Sequence, residues 1–223
     1  LGVKSLLGQN CYIYIMLING IVAMDKNKGI GKNNNLPWTL NKDLKHFQNI
    51  TTGNGNNAII IGRNTWNSIK FLKGRDHLIL SKTLKLNYSQ DGKIIKSFSD
   101  ITELLKFLDD TKYDKIWVIG GSQIYKKFLE LSLINELYIT LINDSYDCDT
   151  HFPNIPENYF MIQKTSRNSS KRGKPIDLVK QFFKENIDFE ELLNQKVNAR
   201  KSVSTYSLDS YNVDLSNREK SHL

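Results

Sequence analysis

From about residue 12 to residue 165, short apolar runs of β type alternate with segments whose apolar residues recur at helical spacing. That alternation specifies an α/β fold on a largely parallel sheet, because parallel neighbours need crossovers long enough to hold a helix. The strand candidates are residues 12–24, 58–62, 77–81, 94–97, 115–120, 136–142 and 159–165. Helices fit between them. One covers 42–51, where Leu40, Leu44, Phe47 and Thr51 share a face. A second follows Gly62, and a third opens at Asp100 with Glu103 in capping-box spacing. A fourth starts after Gly121 and carries Ile124, Phe128 and Leu131 on one side.

Beyond Thr165 the pattern changes. Residues 167–174 are polar and basic and read as a loop. Residues 176–197 read as a helix or helix pair with Leu178, Phe182, Phe183, Phe189, Leu192 and Leu193, and 204–213 read as a strand. Residues 216–223 read as a polar tail, and 1–15 as a leader or extension, since the strand pattern begins near Met16. A length of 223 residues is that of one domain with a real core.

The formal charge of +8 fits nucleic acid, or an anionic small substrate and cofactor, or simply a solvated basic surface. The third is favoured, because the basic residues are spread along the chain rather than clustered among aromatics. The Asn and Lys bias reads as base composition. The two cysteines and four histidines have no zinc-ligand spacing and no disulfide framework. A reducing compartment is expected, cytoplasmic or mitochondrial. The apolar stretch 11–18 is too short to span a bilayer and lacks a signal-cleavage pattern.

Three places have the makings of a site. Asp43 shares a helix face with Leu40, Leu44 and Phe47. A carboxylate on a buried face needs a partner, whereas one at a helix start merely favours the macrodipole; both readings stand. Gly120-Gly121 follows an apolar strand and precedes a helix, which suits close approach of a phosphate but also a plain tight turn. No G-x-G-x-x-G is present, so a Rossmann site is not supported. Gly62-Arg63-Asn64-Thr65 is another strand end running into a helix with a cation, and Ser81-Lys82 ends the next strand. Each is weak alone, but open α/β sheets bind ligands along that edge.

Taken in order, these segments resemble the dihydrofolate reductase family. Ile21-Val22-Ala23, then Gly29-Ile30-Gly31 and Leu36-Pro37-Trp38, resemble its first strand and active-site loop. Asp43 and Phe47 stand five and nine residues after Trp38, as in bacterial members. The segments 62–69, 72–75, 119–125, 138–140 and 149–153 match in the same order, so the resemblance spans about 16–165.

The family implies a three-layer α/β fold with a mixed, mostly parallel eight-stranded sheet and flanking helices, over residues 16–215 with an insertion at 173–200. It implies reduction of dihydrofolate by NADPH, without a metal. The pterin pocket is expected from Ile21, Val22, Leu36, Leu44, Phe47, Ile69 and Ile119, with Leu72 at the aminobenzoyl and glutamate part of the substrate. Asp43, Trp38 and Thr140 are the catalytic set, and Arg75 takes the substrate carboxylate. NADPH is expected along Ala23, Ile30, Gly31, Gly62, Arg63, Asn64, Thr65, Leu80, Ser81 and Lys82, and along Ile119, Gly120, Gly121, Ser122, Gln123, Ile124 and Tyr125. The Gly120–Gly121 bond is expected to be cis.

Some features depart from the family. The stretch from Ile69 to Gly74 is one residue short of the bacterial form and lacks its extra arginine, and Gln123 stands where bacterial relatives often have arginine. Antifolates are expected ligands, a monomer is the expected state, and neither membrane nor nucleic acid is expected as partner. The rivals are the pyrimidine reductase of riboflavin synthesis, an inactive NADPH-binding relative, and nucleic-acid binding through the 173–200 segment.

Overall fold

The apolar strands at the centre of the chain have no polar side, so both their faces must be covered. The computed structural model describes residues 17–69, 71–171 and 174–185, and in it helices cover both faces. The elements in chain order are β1 (Ile18–Met24), β2 (Gly29–Gly31), α1 (Asn41–Thr52), β3 (Asn57–Gly62), α2 (Arg63–Ser68), β4 (Asp76–Leu80), β5 (Asn87–Gln90) and β6 (Lys93–Phe98). They continue with α3 (Ile101–Asp110), β7 (Lys115–Gly120), α4 (Ser122–Glu130), β8 (Glu136–Ile142), β9 (Thr150–His151), β10 (Tyr159–Lys171) and β11 (Lys174–Glu185). The sheet order is β10-β11-β8-β1-β7-β3-β4-β6-β5, with β2 and β9 forming a separate ribbon. The six strands from β8 to β6 are parallel to one another, while β11 and β5 run antiparallel to their neighbours.

Alternation along the strands sorts the side chains between two layers. On one face Ile21, Ile59 and Trp117 meet Phe47 and Ile50 of α1, and Ile61, Ile79 and Ile95 meet Trp66 of α2. On the other, Ile18, Val22, Ile60 and Val118 pack with Leu104 and Leu108 of α3 and Phe128 of α4. The α3 start is capped as its sequence demands: Asp100 accepts the Glu103 N–H at 2.9 Å, and Glu103 reaches back to accept from the Ser99 N–H and Oγ, each at 2.8 Å. Among the described residues no helix is long and apolar enough to cross a membrane.

The mixed, mostly parallel sheet between helices is as expected, with nine hydrogen-bonded strands among the described residues. The additional short strands β2, β5 and β9 carry too few apolar residues to signal themselves. The end of the fold differs from the sequence reading. Residues 167–171 are not a loop but the second half of β10. Residues 176–185 are not helical: they belong to β11, which pairs with β8 from Leu178↔Ile142 to Lys184↔Glu136 and with β10 from Tyr159↔Glu185 to Lys171↔Lys174.

Leu178 and Phe182 are four apart and mimic helical period, but pairing on both sides of the strand outweighs that local signal. Residues 174–185 are therefore a strand of the sheet and not part of an insertion at 173–200. The remainder of that segment, the strand expected at 204–213, the tail 216–223 and the extension 1–15 lie outside the described residues.

Candidate active site

Parallel strands bring their C-terminal ends to one edge, and the crossover loops carry the chemistry there. Gly62 pairs with Leu80 and Ile61 with Gly120, so the ends of β3, β4 and β7 lie side by side. The Gly120–Gly121 peptide is cis, and Gly120 has φ +117°, a left-handed conformation that favours glycine. A Cβ on Gly121 would lie 3.1 Å from Thr65 Oγ1, and one on Gly62 would lie 2.9 Å from Ile124. The starts of α2 and α4 thus pack against one another, Thr65 on Gly121 and Ile124 on Gly62, and form a glycine cradle at this edge.

Around the cradle, Arg63 is exposed and donates from Nη1 to Thr83 Oγ1 at 2.9 Å, with Asn64, Lys82 and Gln123 also exposed. Ser81 Oγ accepts the Leu84 N–H at 3.0 Å, and Ser122 Oγ donates to the His151 carbonyl at 2.5 Å. Tyr125 is buried under the cradle with its hydroxyl donating to the Ile21 carbonyl at 2.7 Å, and Ile30 and Leu80 pack on the core beside it. Tyr125 therefore supports the site from below, and its hydroxyl is already engaged.

The loop between β1 and α1 borders the same edge. The sequence reading missed what holds it. Asp25 is fully buried and accepts the N–H groups of Asn27, Gly29 and Tyr146 at 2.7–2.8 Å. Asp149 accepts the Asn33 N–H at 2.7 Å. Trp38 anchors the far end against Leu40 and Ile142, with its ring 5.1 Å from that of Tyr146.

The α1 face of the sheet holds the rest. Asp43, Phe47 and Thr51 follow one another at four-residue steps, a stripe of about 12 Å along the helix. Asp43 is half-buried in the first turn of the helix. Leu36 and Leu44 are exposed at 53% and 46%. Phe47, Leu72 and Ile119 pack on the cluster of Ile21, Ile59 and Trp117, and Ile69 belongs to the neighbouring cluster, which Ile119 also borders. Val22 points to the opposite face with Ile18 and Met24, so it brings only its backbone to the pocket. Thr140 is buried on β8 beside Ala23 of β1, between Tyr138 and Ile142, which face α1.

At the other end of the stripe lies Arg75, 2% exposed. Its Nη1 donates to Thr51 Oγ1, and its Cζ stands 5.6 Å from the Phe47 ring centroid. Its Nε has no hydrogen-bond partner, and among the described residues no carboxylate pairs with it. Desolvation lowers its affinity for the proton. A buried guanidinium with free donors costs several kcal/mol unless an anion answers it.

His77, which the sequence reading left unused, is fully buried between Phe71 and Trp66. Burial, and then the nearby Arg75 cation, push its pKa down to about 4. The unfolded chain therefore binds this proton more readily than the folded one. Its contribution is complete above pH 6.5 and lost as the pH falls toward 4, about 3 kcal/mol in all. Urea-unfolding free energies should accordingly fall less between pH 6.5 and 4 in His77→Gln than in the parent protein. Parallel declines in the two proteins would show that His77 is not the proton-linked group.

A family model described as dihydrofolate reductase matches residues 17–184, from the start of β1 into β11. The chain belongs to the dihydrofolate reductase family. The viral dihydrofolate reductase of Saimiriine herpesvirus 2 (strain 488) is 40% identical over 158 residues, 66% of this chain and 74% of that protein. The dihydrofolate reductase of Gallus gallus is 36% identical over 155 residues, 65% of this chain and 82% of that protein. The bifunctional dihydrofolate reductase-thymidylate synthase of Plasmodium berghei (strain Anka) is 35% identical over 202 residues, 68% of this chain and 34% of that protein. The chain thus spans about a third of the bifunctional relative.

Proposed function

We propose that dihydrofolate binds lengthwise along the α1 face of the sheet, in a channel that it opens between Asp43, where the pterin sits, and Arg75, which takes the glutamate carboxylate. The reaction is that of the dihydrofolate reductase family, reduction of dihydrofolate to tetrahydrofolate with NADPH. The observation that carries the lengthwise reading is the Asp43-Phe47-Thr51 stripe, with an acid at one end, an aromatic in the middle and the Arg75 guanidinium at the other. The register of β3 supports the same length. Arg75 immediately precedes the Ala58↔Asp76 pair and the cradle begins at Gly62, four residues further along β3, about 13 Å away. A molecule that satisfies both ends is elongated, carries an amino-heterocycle and ends in a carboxylate.

The chain's own residues then have separate tasks. Asp43 accepts hydrogen bonds from the pterin N3 and 2-amino groups and orients the ring, with Thr140 behind it on β8. Phe47, Ile21 and Ile119 enclose the ring, and Leu72 borders the aminobenzoyl group. Arg75 pairs with the α-carboxylate as a fork. The Asp43 charge raises the proton affinity of N5, and the proton arrives through water. Trp38 closes the loop side.

The Gly62, Gly120 and Gly121 cradle suits a diphosphate, because glycines at strand ends leave the backbone open to close approach beside the start of α4. NADPH supplies the hydride delivered to C6 of the pterin. Arg63, Thr65, Ser81 and Lys82 would hold its 2′-phosphate, Ser122 its diphosphate, and Ala23, Ile30 and Gly31 its nicotinamide. A spectrophotometric assay of NADPH oxidation with dihydrofolate tests the activity.

The cofactor assignment has its own test. Arg63→Ala removes a charged partner of the 2′-phosphate, and such bonds contribute about 1.5–3 kcal/mol. KM for NADPH should rise about tenfold or more, while KM for NADH, which lacks that phosphate, should stay within about twofold. Equal rises for both cofactors would remove Arg63 from the 2′-phosphate site.

A further inference from the structure

The connection from α2 to β4 leads into Arg75 and, in the proposed reading, walls the tail end of the substrate channel. Leu72 packs in the cluster of Ile21, Phe47 and Trp117, and Gly74 turns the chain with φ +83° before Arg75 enters beneath Phe47. The side chain that fastens this wall comes from the strand behind it. His77 Nε2 accepts the Leu72 N–H at 3.2 Å, and its ring stacks on Phe71 at 4.8 Å with a 27° interplanar angle. Trp66 of α2 meets the same ring edge-on at 5.5 Å. One fully buried imidazole thus touches α2, the connection and β4.

Because Nε2 accepts, the ring is neutral and its proton is on Nδ1, which makes no well-formed hydrogen bond. The charged groups nearest to it are Arg75 and Asp76. Asp76 is turned away, accepting from the Tyr113 hydroxyl at 2.8 Å and the Ile94 N–H at 3.0 Å.

We propose that His77 is a positioning residue for the carboxylated tail of the substrate, fixing Leu72 and Phe71 so that the Arg75 guanidinium stays presented to the channel. The proposal rests on the reading that Arg75 receives the tail carboxylate. The described contacts of His77 are with Leu72, Phe71 and Trp66, which lie on the tail side of this reading, so its influence falls on ligands that reach Arg75.

Steady-state kinetics with two substrates test this: dihydrofolate, and a 7,8-dihydropterin without the aminobenzoylglutamate tail. His77→Leu keeps the apolar bulk and removes the acceptor. His77→Gln returns an acceptor near the Nε2 position. Arg75→Gln is the reference for the tail site. In His77→Leu, KM for dihydrofolate should rise about tenfold with kcat within about twofold, the size expected for a lost buried hydrogen bond. KM for the tailless substrate should not change, and His77→Gln should restore dihydrofolate KM to within about threefold of the parent.

His77→Met, which fills the space with a flexible apolar chain, carries the same expectation should the Leu variant not fold. Equal rises for both substrates would reduce His77 to a general structural role and overturn the proposal. So would an unchanged dihydrofolate KM in the Leu or Met variant while Arg75→Gln raises it. If Arg75→Gln alters neither substrate, the tail reading itself falls.

Discussion

Asp43→Asn is expected to lower dihydrofolate turnover at neutral pH by roughly two or more orders of magnitude, the usual reach of general-acid assistance. The substitution keeps the shape of the side chain and one acceptor but removes the charge. Asp43 is half-buried in the first turn of α1, above the face that carries Thr140, Ile21 and Phe47, so the variant should fold. Replacements at half-exposed positions away from packed cores usually change stability little. NADPH affinity should be nearly unchanged, because the Gly120–Gly121 cradle does not depend on that carboxylate.

The pH dependence discriminates further. Substrate already protonated at N5 needs no help from the enzyme, so the Asn variant should recover activity as the pH falls. A pH–rate profile and NADPH binding by fluorescence quenching are the two measurements. Parent-like turnover at pH 7 in the variant would end this mechanism while leaving the fold intact.

The second large effect concerns β11. Replacing residues 174–185 by a short turn is expected to abolish the folded domain. The strand lies between β8 and β10 and makes seven registered pairs with β8 alone. A net contribution of about 1 kcal/mol per backbone hydrogen bond makes that ladder comparable to the whole stability of a domain, about 5–15 kcal/mol. A milder version is Val179→Pro. Proline within a strand paired on both sides removes a donor and clashes with the ladder. Circular dichroism and urea unfolding should show little cooperative structure in the deletion, and a clearly lowered midpoint in the proline variant. A deletion variant that unfolds cooperatively and binds NADPH would show that β11 is dispensable to the sheet.

The sequence by itself determined the layered α/β architecture, because apolar runs such as 58–62 and 115–120 can only be buried on both faces. It also determined the site edge. Gly62, Gly120 and Gly121 follow strands directly, and parallel strands deliver their ends to one side. The spacing of Asp43, Phe47 and Thr51 on α1 was legible for the same reason, since helical period is a local property.

What only the tertiary structure decided are matters of long-range pairing and burial. Residues 174–185 become a strand through partners some forty residues back in β8, against a local spacing that suggests a helix. Val22 parts from Ile21 because the pleat sends neighbours to opposite faces. His77 is an unremarkable strand residue in sequence. Its role arises when the α2–β4 connection folds over it, placing the Leu72 N–H against Nε2 and Phe71 on its ring, where a buried N–H without an acceptor would be costly.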